Sequence, residues 1–316
     1  MEQTSFSEID FSVHKQATRR EKFLEQMQQA VPWQQLIELI SPYYSKPSKR
    51  GRPQISLELM IKAYFVQQWY DLSDPALEEQ LNDSLSIRRF VGVDLGERRA
   101  PDESTLLRFR HLLEAHDLAP AILKVVNKHL ENCGISVKTG TIVDATIIAA
   151  PSSTKNSSGS RDPEMKSTKK GNEWHFGMKG HIGVDSRSKV VHSVEVSSAN
   201  VHDSQVIGDL LHGNERRVYG DGAYSGQKKR IKEVAAQAKD FTQAKVCRHR
   251  KLTAEEKSSN RTKSRYRSRV EHVFGVIKCI FGFRKVRYKG LKKNKSRFII
   301  NAALANLYLH RVQLAQ

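Results

Sequence analysis

KTGTIVDATIIAAP (138–151) is β-branched and apolar on both sides of a single carboxylate, Asp144. The composition predicts a strand, because Val, Ile and Thr fit a pleated, half-buried surface. Buried without a partner, that carboxylate would cost several kcal/mol, on the order of the full desolvation penalty. It must therefore face solvent at a sheet edge, pair with a cation, or bind metal.

Downstream, strands continue to alternate with other elements. HFGMKGHIGVD (175–185) and SKVVHSVEVSSA (188–199) read as a strand pair joined at Ser186–Arg187. VHDSQVIGDLL (201–211) takes a helical period. RRVYGDGAYSG (216–226) is a short strand ending in glycines, and a charged helix follows it. FTQAKVCR (241–248) is expected as a strand, and residues 262–282 and 295–313 as helices. Three consecutive strands followed by alternating strands and helices predict a mixed sheet covered by helices. The Ser/Lys/Gly-rich stretch 152–172 reads as a flexible loop.

Upstream of residue 130 the period is helical. Phe23, Leu24, Met27 and Val31 share one face, Pro32 and Pro42 bracket WQQLIELI, and Leu57, Met60, Ile61, Tyr64 and Phe65 form another stripe. Asp74–Pro75 reads as an N-cap and first helical residue, and RAPDEST (99–105) as the turn before a further helix. The expected organisation is N-terminal helices over 1–44, a basic linker over 45–54, a helical region over 55–130, and an α/β domain over 137–316.

Charge narrows the function. The chain has 316 residues, with 53 Lys and Arg against 34 Asp and Glu. Residues 245–297 alone carry 19 basic and three acidic side chains. Such a segment is the electrostatic footprint of a polyphosphate partner; a solvated helix face and an anionic membrane surface are the alternatives. No run reaches the roughly 18 apolar residues of a membrane span, and no signal peptide is visible at the N-terminus. The three cysteines, Cys133, Cys247 and Cys279, are too sparse for a disulfide scaffold and fit a reducing cytosol.

Two more carboxylates stand out. Asp221 ends a strand between Gly220 and Gly222, where open α/β sheets place functional groups; a turn residue is the plainer reading. Glu271 lies in the basic helix, where an ion pair with Arg267 is the plainer reading. Arg267, Glu271 and Lys278 are spaced by four and seven residues, which returns them to one helical face. Val270, Val273, Phe274, Ile277 and Phe281 form the adjoining apolar stripe. Three carboxylates make an oxygen-only ligand set suited to Mg²⁺ or Mn²⁺, and two such ions could clamp an in-line phosphoryl displacement.

At these residues the sequence resembles a bacterial insertion-sequence transposase of the DDE type, in the IS-five group of the IS-four superfamily. The resemblance is carried by TIVDATII, WHFGMKGHIGVD, YGDGAYSG and RVEHVFGVIK, and upstream by residues 50–114. It implies an RNase H-like mixed sheet flanked by helices and preceded by an all-α region. It implies Asp144, Asp221 and Glu271 as the catalytic ligands of an Mg²⁺ or Mn²⁺ pair, with Arg267 and Lys278 on DNA phosphates, residues 55–130 as the DNA-binding or dimerisation region and 137–316 as the catalytic domain.

The family signature also has a tyrosine three residues before the arginine. That position is Ser264 here, and Tyr266 falls two residues late, so the tyrosine's role is not carried over. The interval between Asp221 and Glu271 argues against a large inserted domain. The implied protein binds double-stranded DNA, at terminal inverted repeats and at a target, as a homodimer in the bacterial cytoplasm at the nucleoid. An inactive DNA-binding relative and a nuclease without strand transfer are the alternatives.

Other features are weaker. Arg50 and Arg52, in KRGRP, fit either a minor-groove hook or a basic linker. Lys292, Lys293, Lys295 and Arg297 extend the basic surface toward DNA. His175 and His181 lack further ligands at zinc spacing and read as strand residues. Trp69 and Trp174 could stack on a displaced base, with core packing the favoured reading. FIINAALANLYLH is apolar on more than one face, as a core helix or a dimer contact would be.

Overall fold

The computed structural model describes residues 16–45, 54–96, 99–157, 159–246 and 251–315. Among the described residues, seven helices precede the sheet: α1 (Arg19–Ala30), α2 (Trp33–Ile40), α3 (Leu57–Trp69), α4 (Asp74–Asp83), α5 (Leu85–Val91), α6 (Glu103–Ala115) and α7 (Leu118–Asn132). Their starts are written in local chemistry. Thr18 and Glu21 form a reciprocal capping box at α1, and Asp102 accepts from the Thr105 N–H at α6. At α4 the cap is Ser73, which accepts from the Ala76 N–H, so Asp74 is the first helical residue rather than the cap. Pro75 costs nothing there, because the first-turn N–H groups lack helical partners anyway.

The strands are β1 (Gly140–Ala149), β2 (Lys166–Lys170), β3 (Glu173–Asp185), β4 (Val191–Ser198), β5 (Arg217–Tyr219) and β6 (Lys239–Asp240). β3 pairs antiparallel with β1, with β4 and, through its first residues, with β2. β5 lies parallel to β1, and β6 parallel to β5. The sheet is therefore mixed, as expected.

Four local expectations need correcting. Part of the 152–172 stretch is strand β2, and Asp162 and Glu164 beside it accept from the Gly290 and Leu291 N–H groups. Those carboxylates sit at the start of the last helix, where the exposed N–H groups favour negative charge. Residues 201–211 form two short 3-10 turns instead of an α-helix. Of the strand expected over 241–248, residues 247 and 248 lie outside the described residues and 241–246 are not regular strand: β6 is Lys239–Asp240, although the Phe241 and Gln243 N–H groups still donate to the Val218 and Gly220 carbonyls. The basic helix is broken into α9 (Ala254–Arg267), α10 (Arg269–Gly275) and a π-helical turn over Val276–Ile280. Between Asp221 and α9 lies α8 (Lys228–Val234).

The final helix, α11 (Leu291–Leu314), organises the core. Phe298, Ile299, Ile300 and Ala302 through Leu307 are buried, which explains its lack of a polar face. Phe298 sits over Gly180 of β3 so closely that a Cβ there would lie 2.3 Å from the ring. Asn306 pins the helix to an edge strand: its Oδ1 accepts from the Val191 N–H at 2.8 Å and its Nδ2 donates to the Val191 carbonyl at 2.9 Å. α11 packs against α7, α1, α3 and β4. One apolar cluster thus runs from Leu24 to Leu307, joining the N-terminal helices to the sheet.

An ion cluster reinforces this junction. Asp71, in the left-handed region at φ 48°, accepts from Arg287 at 3.0 Å and from Arg297 at 2.5 Å. Among the described residues, no helix is long and apolar enough to cross a membrane.

Candidate active site

The parallel register of β1 and β5 sets the geometry. Ile142 faces Tyr219, so two residues further along each chain come Asp144 and Asp221. Strand alternation puts each on the same face as its predecessor in that pair. Asp221 is both a turn residue and a site candidate: its Oδ1 accepts from the Ala223 N–H at 2.9 Å, capping the turn Gly222–Tyr224. Gly220 permits close packing, since a Cβ there would meet the Tyr224 ring and Val143 at 3.1 Å.

Asp144 is neither at an open edge nor unpaired. Its Oδ1 accepts from the Ala145 N–H at 2.9 Å, and its Oδ2 accepts from Arg267 Nη1 at 3.0 Å. Burial pushes its pKa up to about 6, opposed by the Ala145 N–H and Arg267 and reinforced by the Asp221 and Asp203 carboxylates. Arg267 also reaches Glu271, with Nη2 3.9 Å from Oε1. One guanidinium therefore bridges the strand carboxylate and the helix carboxylate, while Asp221 acts on Asp144 electrostatically.

Sequence places Arg267 at the end of α9 and Glu271 in α10, with Ser268 between them. Val270, Val273 and Ile277 are fully buried and dock this segment on the sheet. Tyr266 stacks on Tyr219 of β5 at 5.1 Å between ring centroids, and Arg269 lies 5.5 Å from the Tyr266 ring. Ser264, at the signature's tyrosine position, lies 2.7 Å from Gln243 Nε2, which donates to its hydroxyl. The aromatic contact that seats α9 thus comes from Tyr266, two residues later.

The π-helical turn changes the phase assumed for Lys278. Its ammonium group donates to Thr146 Oγ1 at 3.1 Å and to the Ile147 carbonyl at 3.0 Å, both on β1. Burial lowers its pKa, helped by the neighbouring Lys170 and Arg284 charges. Lys278 therefore stands on the same strand as Asp144.

Two groups near the site were not singled out in the sequence. Asp203 pairs with Lys179 at 2.8 Å, and its charge acts on Asp144, His181 and Tyr224. The Tyr224 hydroxyl is buried without a hydrogen-bond partner among the described residues, and burial with three nearby carboxylates raises its pKa well above the ordinary value. Their signal was a polar residue in an apolar-looking 201–211 stretch and a tyrosine directly after the Gly-Asp-Gly turn; neither has diagnostic spacing.

The remaining candidates scatter. Arg50 and Arg52 lie outside the described residues. Lys292 and Lys293 are exposed at the start of α11, where their charge acts on Glu114 of α6. Trp69 is a core residue, but Trp174 is 70% exposed, contrary to the core packing expected of it. His181 is buried, with Nε2 2.8 Å from Ser197 Oγ.

His192, His212 and Glu215 form a separate group whose ligand atoms lie within 4.8 Å of one another. Hydrogen bonding accounts for most of their atoms. Glu215 accepts from the His212 and Gly213 N–H groups at 2.6 and 2.8 Å and from Thr141 Oγ1 at 3.2 Å. With its proton given to Glu215, the Thr141 oxygen accepts from His192 Nε2 at 3.2 Å. This is an anchor for the turn before β5, three residues along β1 from Asp144.

Comparison with known families agrees with this geometry. The family described as Transposase DDE domain matches residues 135–307, more than half of the chain. The family described as Transposase domain (DUF772) matches residues 11–112. No solved structure matches the chain. A mixed sheet that gathers carboxylates and cations, preceded by a helical region and matched along both parts, places this chain in the DDE transposase family.

Proposed function

We propose that the chain binds the terminal inverted repeats of an insertion sequence and catalyses DNA cleavage and strand transfer by metal-dependent phosphoryl transfer. The reading places it in the IS-five group of the IS-four superfamily, with an RNase H-like core. The observation that carries it is that Asp221, just past the end of β5, acts on Asp144 of the paired strand β1 by its charge, while Arg267 links Asp144 to Glu271. The sheet, antiparallel through β4, β3 and β1 and parallel from β1 to β6, supports the RNase H-like assignment.

Asp144, Asp221 and Glu271 would hold Mg²⁺ or Mn²⁺, most simply as a pair. The fit is chemical: the donors are all oxygen, as hard divalent cations require. Burial and the Asp221 charge also push Asp144 toward its protonated form, so the group is short of positive charge. When bound, the metal supplies Lewis acidity to the attacking and leaving oxygens.

The chain's own residues do the positioning. The Ala145 and Ala223 N–H groups each fix one oxygen of Asp144 and Asp221. Arg267 holds Asp144 toward Glu271. Lys278 has three N–H donors and gives two to β1, leaving one for a phosphate oxygen. Arg50, Arg52, Lys292 and Lys293 would extend the phosphate contacts along the duplex. Action on two element ends calls for a homodimer in the DNA complex, in the cytoplasm at the nucleoid.

The test incubates full-length protein with DNA carrying the element's own ends and a plasmid target, in Mg²⁺ or EDTA, with Asp144→Ala as control. Joined products that require both metal and Asp144 are expected. Cut but unjoined products would make the protein a nuclease. Binding without metal-dependent cutting would make it an inactive DNA-binding relative.

A further inference from the structure

The hairpin of β2 and β3 presents a surface that the carboxylate site does not use. Trp174 is the most exposed large apolar side chain among the described residues, at 70%. Lys169 is its cross-strand partner, and the alternation of β3 puts Phe176 on the same face two residues on, about 7 Å away. The Arg161 guanidinium lies 5.4 Å from the Phe176 ring. One face of the hairpin thus carries an open indole, a second ring and two cations. Lys166 and Lys170 occupy the other face and are exposed.

The hairpin stands beyond the Ala149 end of β1, the end toward which Lys278 is anchored at Thr146 and Ile147. β3 runs without interruption from Trp174 to Ile182, the partner of Asp144, a path of about 27 Å at strand rise. Lys170 is close enough for its charge to lower the Lys278 pKa. A strand held at Lys278 would therefore meet the hairpin next.

We propose that Trp174 is a stacking platform for an unpaired DNA base, with Lys169 and Arg161 holding phosphates of the same strand. This rests on the reading of the chain as a DNA-processing enzyme. An exposed indole flanked by cations matches the chemistry of single-strand recognition: every base has a π-face, and each phosphate needs a positive partner. Paired bases inside a duplex have both faces covered by their neighbours. The platform therefore selects bases splayed from a duplex end or fork. The lysines also discourage self-pairing along the hairpin edge.

The test compares full-length wild type, Trp174→Ala and Trp174→Phe on two probes at one salt concentration. One probe is a blunt oligonucleotide duplex; the other is the same duplex with a short run of unpaired thymines at one end. Wild type should prefer the fork, with its tryptophan emission quenched on binding. Trp174→Ala should weaken fork binding about ten-fold, leave duplex binding within about two-fold, and remove the quench. Trp174→Phe should keep most of the fork preference and lose the quench.

Equal fork affinity in wild type and Trp174→Ala would overturn the proposal, as would an equal loss on both probes or no binding to either. A change in self-association of Trp174→Ala by sedimentation, without a change in fork preference, would assign the patch to a second copy of the chain and overturn it too. Fork preference without metal-dependent cutting would leave this platform standing and remove the transposition reading. Duplex binding and cutting without fork preference would do the reverse.

Discussion

The guanidinium of Arg267 lies 3.0 Å from Asp144 Oδ2 and 3.9 Å from Glu271 Oε1, so one cation links a strand carboxylate to a helix carboxylate. Asp144 is largely buried, and its charged form depends on that partner. Arg267→Ala should destabilise the metal-free protein by about 2 kcal/mol at pH 8, on the scale of breaking a partly buried pair. The loss should shrink at pH 5, below the Asp144 pKa of about 6, where the carboxyl is mostly protonated. Urea denaturation at the two pH values measures it; equal losses would contradict the pairing.

Asp144→Asn probes the same group from the other side. Folding raises the Asp144 pKa from 3.8 to about 6. The folded chain therefore binds a proton that the unfolded chain has released between those values. Its contribution favours folding below the lower value and is lost as pH rises through the upper one. Asparagine does not ionise, so the variant should gain on wild type between pH 4 and pH 7, by up to about 3 kcal/mol, a value that already includes the opposing attraction of Arg267. A difference independent of pH would refute the assignment.

The sheet was legible because β-branched residues cluster and because a carboxylate inside TIVDATII has few physical options. The segment around Glu271 was legible only in part. Helical spacing brought Arg267 and Glu271 to one face, and they do meet. It could not foresee the break at Ser268 or the π-helical turn, because both depend on how Val270, Val273 and Ile277 seat on the sheet. Lys278 consequently anchors on β1. Trp174 was misjudged because indole size argues for burial, whereas the strand's register leaves it beyond the core. Asp203 carried no period at all; its place is set by Lys179, 24 residues away in sequence.

Gly180→Ala should be poorly tolerated, because the added methyl would lie 2.3 Å from the Phe298 ring. Overpacking of this kind costs about 1–3 kcal/mol. Combining it with Phe298→Leu should recover part of that loss relative to the sum of the two single variants. Thermal unfolding of the cycle reads the coupling; simple additivity would mean that the two side chains do not compete for space.

Asp71→Ala should loosen the N-terminal helices from the sheet. Arg297 is buried at 3% exposure and stacks 4.4 Å from the Phe283 ring, so it cannot escape to water when its carboxylate is removed. A loss of about 3 kcal/mol is expected, since an uncompensated buried charge remains. A change below about 0.5 kcal/mol, typical of an exposed pair, would contradict the role assigned to it.

The most direct test of the central claim is Mn²⁺ binding, followed by electron paramagnetic resonance of the free ion during titration. Wild-type protein should remove Mn²⁺ from solution, and Asp144→Asn, Asp221→Asn and Glu271→Gln should each weaken that uptake by ten-fold or more, about 1.4 kcal/mol. A substitution of Glu215, in the separate histidine group, should leave it unchanged. Uptake that survives all three carboxylate substitutions, or that is lost with Glu215, would contradict the assignment of Asp144, Asp221 and Glu271 as one metal site.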